Sequence, residues 1–123
     1  MNILICDDED LIRRSLARAF KSVSYVVFEA ENGVKALEIL KMEKIDLLIL
    51  DLLMPEKNGF DVLDEMNAKI PVVIISAFSG QQQGQFQTEK YPQVIAYIKK
   101  PFEEIFKLTS EIIQIYENHI RKI

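Results

Sequence analysis

The stretch IDLLILDLLMPEKNGF, which runs from Ile45 to Phe60, places an aspartate directly after a run of apolar residues. The apolar run, residues 47–50, has the length and composition of a strand that is buried on both faces. It ends at Asp51, and Pro55 and Gly59 then indicate a turn into a helix. Because a carboxylate beside a buried strand costs free energy unless it has a partner, Asp51 predicts a polar site at the end of this strand.

Four other segments have the composition of strands, namely residues 2–6, 25–30, 71–76 and 94–98. Segments with apolar residues at helical spacing lie between them, and a last long helix is predicted from about Glu103 to about Ile120. Strands that alternate with helices predict βα units with right-handed crossovers and helices on both faces of one parallel sheet. We therefore predict an α/β fold of the (βα)5, flavodoxin-like type, a doubly wound five-stranded parallel sheet with strand order 2-1-3-4-5.

Length and composition restrict the class of protein. The chain of 123 residues has the size of one domain, so we predict a single domain over residues 1–123. A net charge of −4, without a cluster of Lys and Arg, argues against direct binding of nucleic acid. The N-terminal residues MNILICDDED fit neither a signal peptide nor a transmembrane span, so we expect a cytoplasmic location and no membrane association.

The segment SGQQQGQFQTEKYPQ, residues 79–93, lies where the fourth helix is expected. Gly80, Gly84 and Pro92 interrupt it, and its only large apolar residues are Phe86 and Tyr91. We therefore expect this helix to be short, irregular or mobile.

Polar residues follow four of the predicted strands. Asp7 and Asp8 follow the first strand, Asp51 the third, Ser76 ends the fourth, and Lys100 follows the fifth. Ligands of open α/β sheets bind outside the carboxyl ends of the strands, so these side chains are expected in one crevice. Neighbouring carboxylates repel each other by roughly 4 kcal/mol per pair at an effective dielectric constant of about 20, so three of them need a cation. Mg2+ prefers oxygen ligands, and a carboxylate held against Mg2+ can act as the nucleophile in phosphoryl transfer.

The stretch LILDLLMPEKNGF resembles the motif D-x-x-M-P-x-x-x-G of the receiver domains of two-component response regulators. The resemblance covers essentially the whole chain, and it implies that Asp51 is the phosphoacceptor. It also implies a Mg2+ site, with Mn2+ as a possible substitute, whose ligands are Asp7, Asp8, Asp51 and the backbone carbonyl of Leu53.

Two further parts of the sequence carry the resemblance. Lys100-Pro101-Phe102 resembles the Lys-Pro-Phe signature of the family, which implies that Lys100 reaches the acyl phosphate and that the Lys100–Pro101 peptide bond is cis. Ser76 is similar to the hydroxyl residue that binds the phosphoryl group, and Tyr97 to the aromatic residue that moves inward with it.

The function implied by the resemblance is a phosphorylation-operated switch and not an enzyme, beyond assisting its own phosphorylation and dephosphorylation. The implied phosphoryl donor is a sensor histidine kinase or a phosphotransfer protein. A downstream protein partner would bind the surface of helix four, strand five and helix five, and the switch would be a monomer or a weak phosphorylation-dependent dimer. Both a stand-alone receiver and a receiver excised from a longer regulator fit the chain.

Other interpretations of the same residues remain open at this point. Asp8, Glu9 and Asp10 also suit the start of a helix, where acidic residues interact favourably with the helix dipole. A hydrolase with an aspartyl-phosphate intermediate is an alternative, although such enzymes commonly place an acid where this chain has Leu53. A constitutive interaction module of the same fold with an unused site is another. A flavin-binding protein would need a phosphate-binding loop after the first strand, where this chain is acidic.

Overall fold

The computed structural model describes residues 1–67, 69–77, 90–100 and 104–122. Five strands form one parallel sheet: β1 (Asn2–Cys6), β2 (Val26–Ala30), β3 (Leu47–Asp51), β4 (Val72–Ser76) and β5 (Val94–Lys99). Their order is β2-β1-β3-β4-β5, so the predicted fold and strand order are confirmed.

Helices of the described residues cover both faces of the sheet. They are α1 (Asp10–Ser22), α2 (Gly33–Met42), α3 (Gly59–Glu65) and the C-terminal helix α4 (Ile105–Arg121), which is the fifth helix of the sequence prediction. The predicted fourth helix falls largely on residues 78–89, which lie outside the described residues. Among the described helices, none combines the length and the apolar character that crossing a membrane requires.

The core has two layers, one on each face of the sheet. On one face Leu48 and Leu50 of β3 pack with α2 and α3, through Ala36 and Val62. On the other face Leu47 and Ile49 pack in the same layer as apolar residues of α1 and α4. Each fully buried leucine or isoleucine contributes about 1.5–3 kcal/mol relative to an exposed one. The central strand is therefore apolar on both faces, as its sequence predicts.

The strand register brings the polar residues at the carboxyl ends of the strands to one edge of the sheet. Cys6 of β1 pairs with Leu50 of β3, and the next residue, Asp51, pairs with Ile75 of β4. Ser76 at the end of β4 pairs with Lys99 of β5. Because all strands are parallel, their carboxyl ends share this edge.

Candidate functional site

Three carboxylates meet at the carboxyl edge of the sheet. One side-chain oxygen from each of Asp7, Asp8 and Asp51 lies within 4.8 Å of the other two. Asp7 and Asp51 are buried, whereas Asp8 is exposed. The structure therefore brings together the acidic residues that the sequence selected from two different strands.

The ammonium group of Lys100 lies inside this acidic cluster. Its Nζ is 2.8 Å from Asp7 Oδ2, 2.8 Å from Glu9 Oε1 and 3.2 Å from Asp51 Oδ2. The Lys100 backbone N–H donates to the carbonyl of Ser76 at 2.7 Å, which ties the end of β5 to the end of β4. One buried cation thus faces two buried carboxylates and one at the surface.

Ser76 and Tyr97 lie near the same edge. Ser76 is fully buried at the end of β4. Tyr97 is half-buried in β5, beside Ile74 of β4, and packs against the core layer of α2 and α3. Pro101 and Phe102 lie outside the described residues, so the cis Lys100–Pro101 bond stays a prediction.

Burial and charge shift the pKa values of the cluster. Burial and the charge of Asp7 raise the pKa of Asp51 from 3.8 to about 6, although Lys100 and the Leu53 N–H act in the opposite direction. Burial likewise raises the pKa of Asp7, and contact with Lys100 opposes that shift. Burial lowers the pKa of Lys100, but its contacts with Asp7 and Glu9 outweigh this effect and raise it. The carboxylates of the pocket thus outnumber its one ammonium group.

Arg13 supports the end of β1 from the first helix. Its Nη1 donates to the backbone carbonyl of Asp7 at 2.9 Å, and its guanidinium also pairs with Asp10 and Glu29 at 2.6 and 3.2 Å. Arg13 is buried, so its three partners compensate the loss of hydration. Sequence reasoning missed both Arg13 and the contact of Glu9 with Lys100. An arginine on the apolar side of a predicted amphipathic helix was the available signal for Arg13.

The loop after Asp51 packs tightly against neighbouring backbone. The Leu53 N–H donates to Asp51 Oδ1 at 3.1 Å, and the Gly59 N–H donates to the Leu52 carbonyl at 3.1 Å. Asn58 caps α3 in a reciprocal capping box with Asp61. The motif after β3 therefore fixes the direction in which the Asp51 carboxylate points.

The donor set fits a hard divalent cation such as Mg2+. Every side-chain donor of the cluster is a carboxylate oxygen, the ligand type that Mg2+ and Mn2+ prefer. The buried Asp7 Oδ2 already lies 2.8 Å from the Lys100 ammonium, so this oxygen accommodates positive charge. Asp7, Asp8 and Asp51 would supply the side-chain ligands, whereas the Leu53 carbonyl remains a predicted ligand.

A cavity of about 610 Å³ lies at the opposite edge of the sheet, beside Ile70, Pro71, Tyr116 and His119. None of its lining residues belongs to the acidic cluster. A cavity of about 380 Å³ instead adjoins the cluster, where Asp8 lines it together with Leu53 and Met54. The chemistry of the side chains, and not the size of the cavity, identifies the candidate site.

A family model described as the response regulator receiver domain matches residues 3–112. Response regulator RR06 of Streptococcus pneumoniae serotype 2 (strain D39) is 38% identical over 104 residues, which are 83% of this chain and 47% of that protein. Transcriptional regulatory protein PdtaR of Mycobacterium tuberculosis (strain H37Rv) is 37% identical over 103 residues, which are 81% of this chain and 49% of that protein. The chain thus spans about half the length of these relatives.

Sporulation initiation phosphotransferase F of Bacillus subtilis (strain 168) is 34% identical over 104 residues, which are 82% of each chain. A CheY-like receiver domain protein from Methanospirillum hungatei JF-1 superposes with a TM-score of 0.84 at 20% identity, over 99% of this chain and 98% of the other. Response regulator protein TrrA of Thermotoga maritima, in complex with Mg2+-BeF, superposes with a TM-score of 0.75 at 26% identity. That match covers 93% of this chain and 97% of the other.

Proposed function

Because the chain belongs to the response regulator receiver domain family, we propose that it is a phosphorylation-operated switch whose phosphoacceptor is Asp51. The observation that carries the proposal is the position of Asp51 at the end of β3, beside two further aspartates and the Lys100 ammonium. We also propose that residues 1–123 together form the receiver domain.

The proposed reaction is transfer of a phosphoryl group from a phosphohistidine. A carboxylate oxygen of Asp51 forms a bond to phosphorus as the phosphorus–nitrogen bond of the donor breaks. The nitrogen keeps the bonding electron pair and takes a proton from solvent. Mg2+, when bound, supplies positive charge that stabilises the phosphoryl oxygens.

Each protein side chain has a separate role in this proposal. Asp7 and Asp8 would hold the metal ion together with Asp51 and the Leu53 carbonyl. Lys100 pairs with a phosphoryl oxygen, since its ammonium is already 3.2 Å from Asp51 Oδ2. Ser76 donates a hydrogen bond from its hydroxyl to another phosphoryl oxygen, and Tyr97 then moves inward.

The proposed partners are a sensor histidine kinase or phosphotransfer protein as donor, and a downstream protein as receiver of the signal. The downstream partner would bind at the predicted fourth helix, β5 and α4. The Bacillus relative is named a phosphotransferase, which agrees with a role in the transfer of phosphoryl groups. A hydrolase is less well supported, because Leu53 occupies the position of the expected second acid.

The mass of the intact protein tests the proposal directly. We expect the wild-type chain to gain the mass of one phosphate when a small acyl phosphate and Mg2+ are both present. Adding a chelator should prevent the gain, because the carboxylates then lack the cation that neutralises them. Absence of the gain with acyl phosphates and with phosphoramidates would overturn the proposal.

Affinity for Mg2+ should depend on pH in a window set by Asp51. The pKa of Asp51 is raised from 3.8 to about 6, and a metal ligand must be deprotonated, so protons compete with the metal as pH falls below about 6. We expect roughly tenfold weaker binding at about pH 5 than at about pH 7, measured by isothermal titration calorimetry. Asp51→Asn should reduce this pH dependence, and an affinity that stays constant across the window would contradict it.

A further inference from the structure

Glu9 occupies the N-cap position of α1, but its side chain does not cap the helix. Among the described residues, no helix N–H donates a cap hydrogen bond to the Glu9 side chain, and the Glu9 backbone N–H donates to Asp7 Oδ1 at 2.9 Å. Glutamate is not among the residues favoured at N-caps, where Ser, Thr, Asp and Asn dominate. The Glu9 carboxylate instead accepts a hydrogen bond from Lys100 Nζ at 2.8 Å. Its side chain is thus directed to the candidate site.

Glu9 differs from the other two carboxylate partners of Lys100. Asp7 and Asp51 both belong to the cluster that could hold a metal ion, whereas Glu9 does not. A metal ion held by that cluster would compete with Lys100 for the two aspartates but not for Glu9. Among the described residues, Glu9 is therefore the carboxylate left to Lys100 alone.

The two side chains of this ion pair differ in burial. The Lys100 side chain is only 7% exposed, whereas the Glu9 side chain is 56% exposed. The contact therefore joins a buried cation to a carboxylate at the surface. Of the carboxylates that pair with Lys100, Glu9 is the most exposed to the solvent from which a phosphoryl donor comes.

We propose that Glu9 is a positioning residue that retains Lys100 at the mouth of the pocket and competes with the incoming phosphoryl group for its ammonium. This inference rests on the proposed function, because it concerns the same acceptor site. Phosphorylation of Asp51 then requires Lys100 to exchange the Glu9 carboxylate for a phosphoryl oxygen. Glu9 is thereby a built-in restraint on the rate at which the switch is turned on.

Two substitutions separate the contact from the charge. Glu9→Gln removes the charge and the ion pair. Glu9→Asp keeps a negative charge at the mouth but shortens the side chain, and an aspartate at an N-cap turns to the helix backbone. We expect both variants to incorporate phosphate from a small acyl phosphate, at saturating Mg2+, about threefold to tenfold faster than the wild type.

If the negative charge of Glu9 acts without the contact with Lys100, the two variants should differ in rate. If Glu9→Asp reacts at the wild-type rate and only Glu9→Gln is faster, the repulsion of an anionic donor explains the data and the proposal is wrong. In a Lys100→Met background, Glu9→Gln should give no further acceleration, because the partner it releases is gone. Glu56→Gln removes an exposed carboxylate of the β3–α3 loop, and it serves as the control for net charge.

A second readout does not depend on phosphorylation. In Mg2+-loaded protein without donor, acylation of Lys100 by an amine-reactive ester, mapped by peptide mass spectrometry, should rise severalfold in both Glu9 variants and remain unchanged in Glu56→Gln. Unchanged acylation in the Glu9 variants would overturn the inference about Glu9 but not the proposed function. A wild-type protein that gains no phosphate from any donor would overturn the proposed function, and the proposed restraint with it.

Discussion

Asp51→Asn should abolish the gain of phosphate mass while the protein remains folded. The amide has nearly the same shape as the carboxylate, but it lacks the anionic oxygen that would attack phosphorus. Asp51 is almost fully buried, so the substitution changes the chemistry of the pocket without a change in volume. We expect no phosphate on the variant under conditions that modify the wild type completely.

The same substitution should stabilise the protein in the absence of metal. Asp51 has a folded-state pKa of about 6, above its ordinary value of 3.8, so its ionisation costs folding free energy as pH rises through this range. Lys100 keeps its contacts with Asp7 and Glu9 after the substitution. We expect about 1 kcal/mol of added stability at neutral pH. We expect none below about pH 4, where the Asp51 carboxyl group becomes protonated in the unfolded as well as in the folded state.

Intact mass and thermal unfolding without Mg2+ at neutral and acidic pH measure the two effects. Glu56→Gln is the matched control, since it makes the same acid-to-amide change at an exposed position of the following loop. Full phosphorylation of the Asp51→Asn variant would show that another residue is the phosphoacceptor. A lower melting temperature at neutral pH would contradict the assigned electrostatics.

Gly59→Ala should destabilise the protein by about 2–4 kcal/mol, although alanine is the better helix former. Gly59 is the first residue of α3, and a Cβ atom there would lie 2.5 Å from the Asp51 carbonyl oxygen and 2.7 Å from the Leu52 Cα. Both are backbone atoms, so relief of the clash requires a shift of the chain that carries Asp51. We expect weaker Mg2+ binding together with the loss of stability.

Urea unfolding with and without Mg2+ checks this expectation. Glu38→Ala introduces the same helix-favouring residue at an exposed position of α2, and it should change stability by less than about 0.5 kcal/mol. A stability of Gly59→Ala equal to or above that of the wild type would show that the loop can move without cost, and it would contradict the close packing.

The sequence alone predicted the parts of this protein that depend on local pattern. The apolar run 47–50 identified a strand covered on both faces, and the alternation of such runs with amphipathic segments identified the βα architecture. The acidic cluster could be predicted because parallel strands end at one edge, which brings Asp7 and Asp51 together once the strand order is known. These inferences need only periodicity and topology.

Contacts that depend on the placement of individual atoms were decided by the tertiary structure. One interpretation of the sequence put Glu9 at the start of the first helix, where it lies, but the contact of its carboxylate with Lys100, 91 residues further along the chain, came only from the structure. Helix propensity alone favours alanine at position 59, whereas the approach of the Asp51 backbone requires glycine. The physical reason is the same in both cases. Periodicity records which face of an element is buried, whereas the partner of a side chain depends on how crossovers bring distant elements to within a few ångströms.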